Sequence, residues 1–227
     1  MKLNLVEEFL LIALDDDRGQ FVIDSTHLHY GFAGALLLEL AMREKISIRG
    51  DHVYLKNDSQ EEEVALNRSL ALIRDSKKTR SVKDWIGRLA QKAPELKNDT
   101  LKRLIDRGVL RKEEHKILWI IPNNKYPTSN ISPENKVRKR LDDVILRGEK
   151  SDAHDVMLLS LIDVSDLTKE AFRDQGDYKK IKARIKQVTE DIKISQTINQ
   201  SIREIQTAIM IAIATTMIVT TVTTSNN

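Results

Sequence analysis

The sequence contains no cysteine, which excludes a disulfide framework and any thiolate-ligated metal site. That composition suits a reducing compartment. Only 4 prolines and 8 glycines punctuate 227 residues, so few turns are marked and long elements are expected. Aromatic residues make up 4%, against an abundance of Lys, Glu, Leu and Ile, a balance that favours helices over strands. A large net charge is also missing, since the sum is only +3. The apolar start, Met1 to Leu14, is interrupted by Glu7 and Glu8 and is followed by no small-residue cleavage site, so it does not read as a signal peptide.

What the sequence does have is an uneven spread of charge. Residues 1–63 carry 6 Lys/Arg against 13 Asp/Glu, a net of −7. Residues 74–116 carry 14 against 7, a net of +7. A basic middle joined to an acidic start points to an anionic partner, or to pairing between the two blocks within one molecule. Hydrophobic residues make up 41%, enough for one sizeable core or two small ones. No internal repeat and no long linker divides the chain, so a single compact domain over residues 1–227 is expected.

Helical periodicity predicts a first helix over Leu3–Leu14, stopped by the turn Asp15-Asp16-Asp17-Arg18-Gly19. Phe21–Ile23 reads as a short edge strand. Asp24 or Ser25 caps the next helix, in which Gly31–Met42 is apolar nearly all round and therefore buried. Gly31, Gly34 and Ala35 leave room there for a neighbouring helix. A small hairpin is expected from Ile46–Ile48 and His52–Leu55. Amphipathic helices follow over Glu62–Arg74, from Ser81 through Leu89 with Trp85 on its core face, and, after Pro94, from Asp99 or Thr100 through Ile105. Val109–Pro122 reads as a β-hairpin with apolar arms, and Asn123–Pro133 as a loop. Helices are expected again over Glu134–Leu146, His154–Val164, Tyr178–Ile194 and Ile202–Val222. The last is uncharged from Gln206 onward, as long as a membrane span, but its threonines and lack of basic and aromatic flanks favour a core helix.

Few residues suggest chemistry. His27 and His29 alternate, yet no third ligand stands at a recognised spacing, and Asp15-Asp16-Asp17 lacks the spaced acids of a calcium loop. No metal or cofactor is called for. Phosphate-loop, dinucleotide, nucleophile-elbow and kinase signatures are absent, so there is no ground for proposing an enzyme. Ser81–Pro122, read as helix, helix and hairpin, has the order of a winged helix-turn-helix, with Lys102, Arg103 and Arg107 as phosphate-type cations. Asp99 and Asp106 dilute that charge, and no cluster suited to base edges accompanies it, so nucleic acid is disfavoured.

Four blocks, in order, resemble the Golgi phosphoprotein 3 family. They are Leu5–Asp16, Ala33–Arg43, Ser81–Ile86, and Leu104–Leu110 running on through the hairpin to Tyr126-Pro127. The resemblance implies a mainly α fold: a hydrophobic helical core, surrounding amphipathic helices and one protruding β-hairpin. It also implies a peripheral membrane protein that holds phosphatidylinositol 4-phosphate in a basic surface pocket at the cytosolic face of the Golgi. Members self-associate through the hairpin and bind cytosolic tails of membrane proteins. The family pocket uses a Trp and an Arg near the start of the apolar helix, where this chain has Val22, Ile23 and Ala33. It also uses two Arg before the fourth block, where this chain has Pro94 and Lys97, so Lys97 alone keeps the charge. With no basic N-terminal tail, the chain looks like the shorter microbial relatives.

The expected site residues are therefore Lys97, Lys102 and Arg103, with Lys77, Lys78 and Arg80, for an anionic lipid headgroup. Ile117, Leu118, Trp119 and Ile120 are expected to form a self-association surface. The alternatives are a scaffold that self-associates without lipid, and then the winged-helix nucleic-acid binder.

Overall fold

The computed structural model describes residues 2–114, 116–117, 121–122, 124–173, 175–190 and 196–224, of which 116–117, 121–122, 196–199 and 217–224 are described by backbone alone. The architecture is mainly α. Helix α1 (Leu5–Ile12) starts at Asn4, whose Oδ1 accepts from the Glu7 amide at 2.8 Å while Glu7 Oε2 accepts from the Asn4 amide at 3.0 Å. This reciprocal capping box satisfies two end groups that would otherwise be buried without partners. Every residue of α1 is buried.

Helix α2 (Ser25–Met42) begins at Asp24, whose carboxylate accepts from the Thr26 and His27 amides. It has no polar face in its second half, because α1 and five later elements pack against the helix. Gly34 makes one of those covers possible. A Cβ there would come within 2.5 Å of Ile209 Cδ1 and 3.1 Å of Leu161 Cδ2.

Strands β1 (Ile46–Arg49) and β2 (His52–Leu55) form the expected hairpin, and β3 (Arg80–Ser81) adds an antiparallel third strand beside β2. Between them lies α3 (Val64–Arg74). Phe21 makes a single bridge to Leu14 rather than an edge strand.

Two expected helices are one. Helix α4 (Val82–Asp106) is capped by the Ser81 hydroxyl and runs unbroken through Pro94. A mid-helix proline costs about 3 kcal/mol. Here Pro94 points to solvent, while Val82, Trp85, Ile86, Leu89, Ala93, Leu96, Leu101 and Leu104 bury one continuous stripe. At roughly 1.5–3 kcal/mol for each large side chain buried, that stripe outweighs the proline. The consequence is functional: no turn separates the two halves, so the helix-turn-helix order expected from the sequence does not exist. Trp85 is core, 3% exposed, as its spacing predicted.

Helix α4 stops at Gly108, whose φ of +70° is a conformation open to glycine. Val109 and Leu110 turn inward, and a ribbon leaves the body. Its pairs run from Leu110↔Thr128 through Glu113↔Lys125 to β4 (Lys116–Ile117) against β5 (Ile121–Pro122). Helices α5 (Ser132–Ile145), α6 (Ala153–Val164), the short α7 (Thr168–Ala171), α8 (Tyr178–Glu190) and α9 (Gln196–Thr224) complete the shell and core.

Helix α9 presses Ile202, Ile205, Ala208, Ile209 and Ile213 inward against α2, α4 and α6, and leaves Met210 62% exposed. No helix among the described residues is long and apolar enough to cross a membrane. The buried apolar residues make one cluster reaching from Leu3 to Ile213.

Candidate functional site: a half-buried lysine and a basic groove

Lys97 projects from α4 toward the segment that joins α1 to α2. Its Nζ sits 4.4 Å from the centroid of the Phe21 ring, a cation–π distance. Burial pulls its ammonium below the usual lysine range. Among the described residues it makes no ion pair, so only the Phe21 ring offsets the water it has lost. His29, on the second turn of α2, is also held below the usual imidazole range, first by burial and then by the charge of Lys97. The nearby Asp24 is occupied: it caps α2 and binds His27 Nδ1 at 2.5 Å. The result is an undercompensated positive spot built from Lys97, Phe21 and His29.

Lys77, Lys78 and Arg80 lie elsewhere. They line a groove of about 750 Å³ between α3 and α4, facing Arg88 and Lys92 of α4. Arg80 is steadied by donating from Nε to the Ser76 hydroxyl at 3.2 Å. The other charges there are largely matched: Arg68 binds Glu95 and Asp99, each at 2.7 Å, and Asp75 binds Arg74 at 2.9 Å.

Arg103 belongs to a third place. It binds Glu7 at 3.1 Å and reaches Glu62 and Glu63, and Arg107 joins it on Glu7 at 2.9 Å. Glu7 is buried, so this pairing ties α4 to α1 and uses part of the charge asymmetry internally. Lys102 stands exposed on α4. The six cations singled out in the sequence are thus not one patch. Three share a groove, and Lys97, Lys102 and Arg103 face three other ways.

The expected self-association residues are only partly described. Ile117 pairs with Ile121 across the ribbon, and Leu118, Trp119 and Ile120 lie outside the described residues. Of the histidines, His52 binds Asp51 at 2.6 Å and His154 binds Glu8 at 2.9 Å, while His115 lies outside the described residues. No three potential metal ligands gather among the described residues.

The profile of the Golgi phosphoprotein 3 family matches residues 5–205, from the first turn of α1 into α9. The chain belongs to the Golgi phosphoprotein 3 family. It is similar to the vacuolar protein sorting-associated protein 74 of Schizosaccharomyces pombe, with 26% identity over 166 residues, covering 63% of this chain and 48% of that protein. The chain thus spans about half the length of this curated relative.

In this family member, sequence reasoning missed Phe21 and His29 as neighbours of Lys97. It sought an aromatic among Val22 and Ile23, one residue too late. The turn ending at Gly19 is legible in the sequence, but not that it brings Phe21 back beside Leu14 and under Lys97. Arg88 and Lys92 were missed as groove cations because nothing in the sequence says that α3 packs beside α4 and brings them opposite Lys77, Lys78 and Arg80.

Proposed function

We propose that this Golgi phosphoprotein 3 family member is a non-enzymatic peripheral membrane adaptor that binds the anionic headgroup of a phosphoinositide of the phosphatidylinositol 4-phosphate type, with Lys97 as its central cation. The observation that carries the reading is the state of Lys97: half-buried, stacked on Phe21 and, among the described residues, without a carboxylate partner. A desolvated cation without a counter-charge gains more from an anion than a solvated one. The resemblance gives Lys97 as the counterpart of a charged pocket position of the family, which supports the reading. Association with the cytosolic face of a membrane and binding of membrane-protein tails follow from the same reading. Self-association rests on the sequence of the run Ile117-Leu118-Trp119-Ile120-Ile121, five consecutive apolar residues that a short charged first arm, Leu110-Arg111-Lys112, cannot shield on both faces.

Flotation with phosphatidylcholine vesicles tests it, comparing vesicles doped with phosphatidylinositol 4-phosphate to vesicles of equal charge containing phosphatidylserine. Lys97→Met keeps the stem over Phe21 and removes only the charge. It is expected to leave the melting temperature unchanged or raised, because the desolvation cost disappears, and to lose preference for the phosphoinositide vesicles. Wild-type flotation by Lys97→Met, or no flotation of the wild type at low salt, refutes the proposal.

A further inference from the structure

The α3–α4 groove is not explained by a headgroup at Lys97, which does not line it. Its chemistry has two levels. The floor is apolar: Ala71 and Leu72 come from α3, Trp85 and Leu96 from α4. Trp85 and Leu96 are almost wholly covered, but Leu72 remains 39% exposed, a large aliphatic side chain open to the groove. The rim is cationic: Lys77, Lys78 and Arg80 on one side, Arg88 and Lys92 on the other. Among the described residues, Lys77, Lys78, Arg80 and Arg88 have no carboxylate partner, and Lys92 approaches Glu95 only at 3.6 Å. The two carboxylates of the lining, Asp75 and Glu95, are taken by Arg74 and Arg68, so the five rim cations repel one another, and that repulsion falls when a polyanion enters.

The order of the two levels selects the partner. A surface that lies on a bilayer needs cations at headgroup depth and apolar side chains projecting beyond them. Here Trp85 and Leu96 are almost wholly covered, and among the lining residues Leu72 alone offers a large apolar side chain that is open. An acidic peptide segment with one or two large aliphatic side chains fits that order, with its aliphatic groups on Leu72 and the edge of Trp85 and its carboxylates among the rim cations. A trough of about 750 Å³ lies within the roughly 300–1,000 Å³ of ordinary ligand sites, so it takes a short stretch of chain rather than a folded domain.

We infer that the α3–α4 groove is a docking site for an acidic, leucine-bearing linear peptide of a partner protein. The inference stands apart from the lipid reading, because it uses none of Lys97, Phe21 and His29.

The test uses fluorescence anisotropy with the full chain and a short labelled peptide of glutamate pairs separated by leucines. A peptide with serine in place of leucine has the same charge without the apolar groups. Binding of the leucine peptide is expected at low salt, weakening as salt rises. The serine peptide is expected to bind about tenfold more weakly, which corresponds to about 1.4 kcal/mol. Lys78→Glu combined with Arg88→Glu, and separately Leu72→Asp, are each expected to lower affinity by about tenfold or more. All three positions are exposed, and melting curves check that the variants fold. Lys97→Met is expected to bind the peptide as the wild type does, which separates this site from the proposed lipid site.

The inference is overturned by equal binding of the serine and leucine peptides, by undiminished binding to the double charge reversal, or by no binding at low salt. It is also overturned if the groove variants lose vesicle flotation but keep the peptide, since the groove then serves the membrane.

Discussion

Glu134 offers the sharpest check on the packing. It sits in the first turn of α5, 0% exposed, with Oε1 accepting from Arg138 Nε at 2.7 Å. Among the described residues its Oε2 has no donor, and the carboxylate of Asp16 is close enough to act on the group. Burial raises its affinity for a proton, Arg138 opposes that, and Asp16 adds to it, leaving the group pushed up to about 7. Burial pushes Asp16 up too, but bonds to Arg173, Glu134 and Thr128 outweigh it and hold Asp16 below the usual range. The folded chain therefore binds a proton at Glu134 that the unfolded chain has already released between the ordinary carboxylate range and pH 7. Stability from this group is full at low pH and is lost as pH rises through about 7. At about 1.4 kcal/mol for each pH unit of displacement, the ceiling is about 3 kcal/mol.

Glu134→Gln keeps the acceptor for Arg138 and supplies a permanent donor toward Asp16, so it imitates the protonated acid. At pH 5 the variant should melt with the wild type. At pH 8 it should be the more stable, by roughly 5–10 °C at about 2–4 °C per kcal/mol for a chain of this size. Melting followed by circular dichroism from pH 5 to 8 at constant ionic strength reads this directly. His154 is also held above the usual imidazole range: burial pulls it down, but its bond to Glu8 and the charges of Glu8 and Glu39 together outweigh that. Its loss of stability with rising pH runs in the same direction, but it is common to both proteins and cancels in the difference. A difference that stays constant with pH, or a variant less stable at pH 8, would show that Glu134 and Asp16 share no proton.

Two further outcomes are expected. Gly34→Val should lower stability by about 1–3 kcal/mol in thermal melts, since the new side chain meets Ile209 and Leu161, and trimming Ile209→Val in the same chain should recover part of the loss. Trp119→Asp should shift an oligomer toward monomer in light scattering while the helical signal persists, and a wild type that is already monomeric at high concentration refutes the self-association reading.

Much of the fold was legible because it depends on local pattern. The Asp24 cap, the apolar α2, the Ile46–Leu55 hairpin and the Gly108 stop were all marked by residue type at fixed spacing. Gly34 announced a close neighbour, although nothing in the sequence said that the neighbour was Ile209, 175 residues away. The errors came where distant packing overruled a local rule. Pro94 is a breaker by itself, yet α4 runs through it because α2, α3 and α9 bury both halves of one stripe. The candidate site was less legible for a related reason. Charge counts place cations along a chain, not around a helix, and α4 distributes its cations among Lys97, the groove and Glu7 by their angles about its axis.

By itself the sequence determined the family, the mainly helical fold, the buried place of Trp85 and the excess of cations in its middle. These follow from the order of apolar blocks and from residue chemistry, which need no knowledge of what folds against what. Only the tertiary structure decided which of those cations are free. Glu7, brought to α4 by the packing of α1, neutralises Arg103 and Arg107. The bend after Gly19 sets Phe21 beneath Lys97, which has no acidic partner among the described residues, and the close approach of α3 and α4 gathers Lys77, Lys78, Arg80, Arg88 and Lys92 around one apolar trough. A charge acts through its neighbours, and those neighbours come from parts of the chain that the sequence order keeps apart.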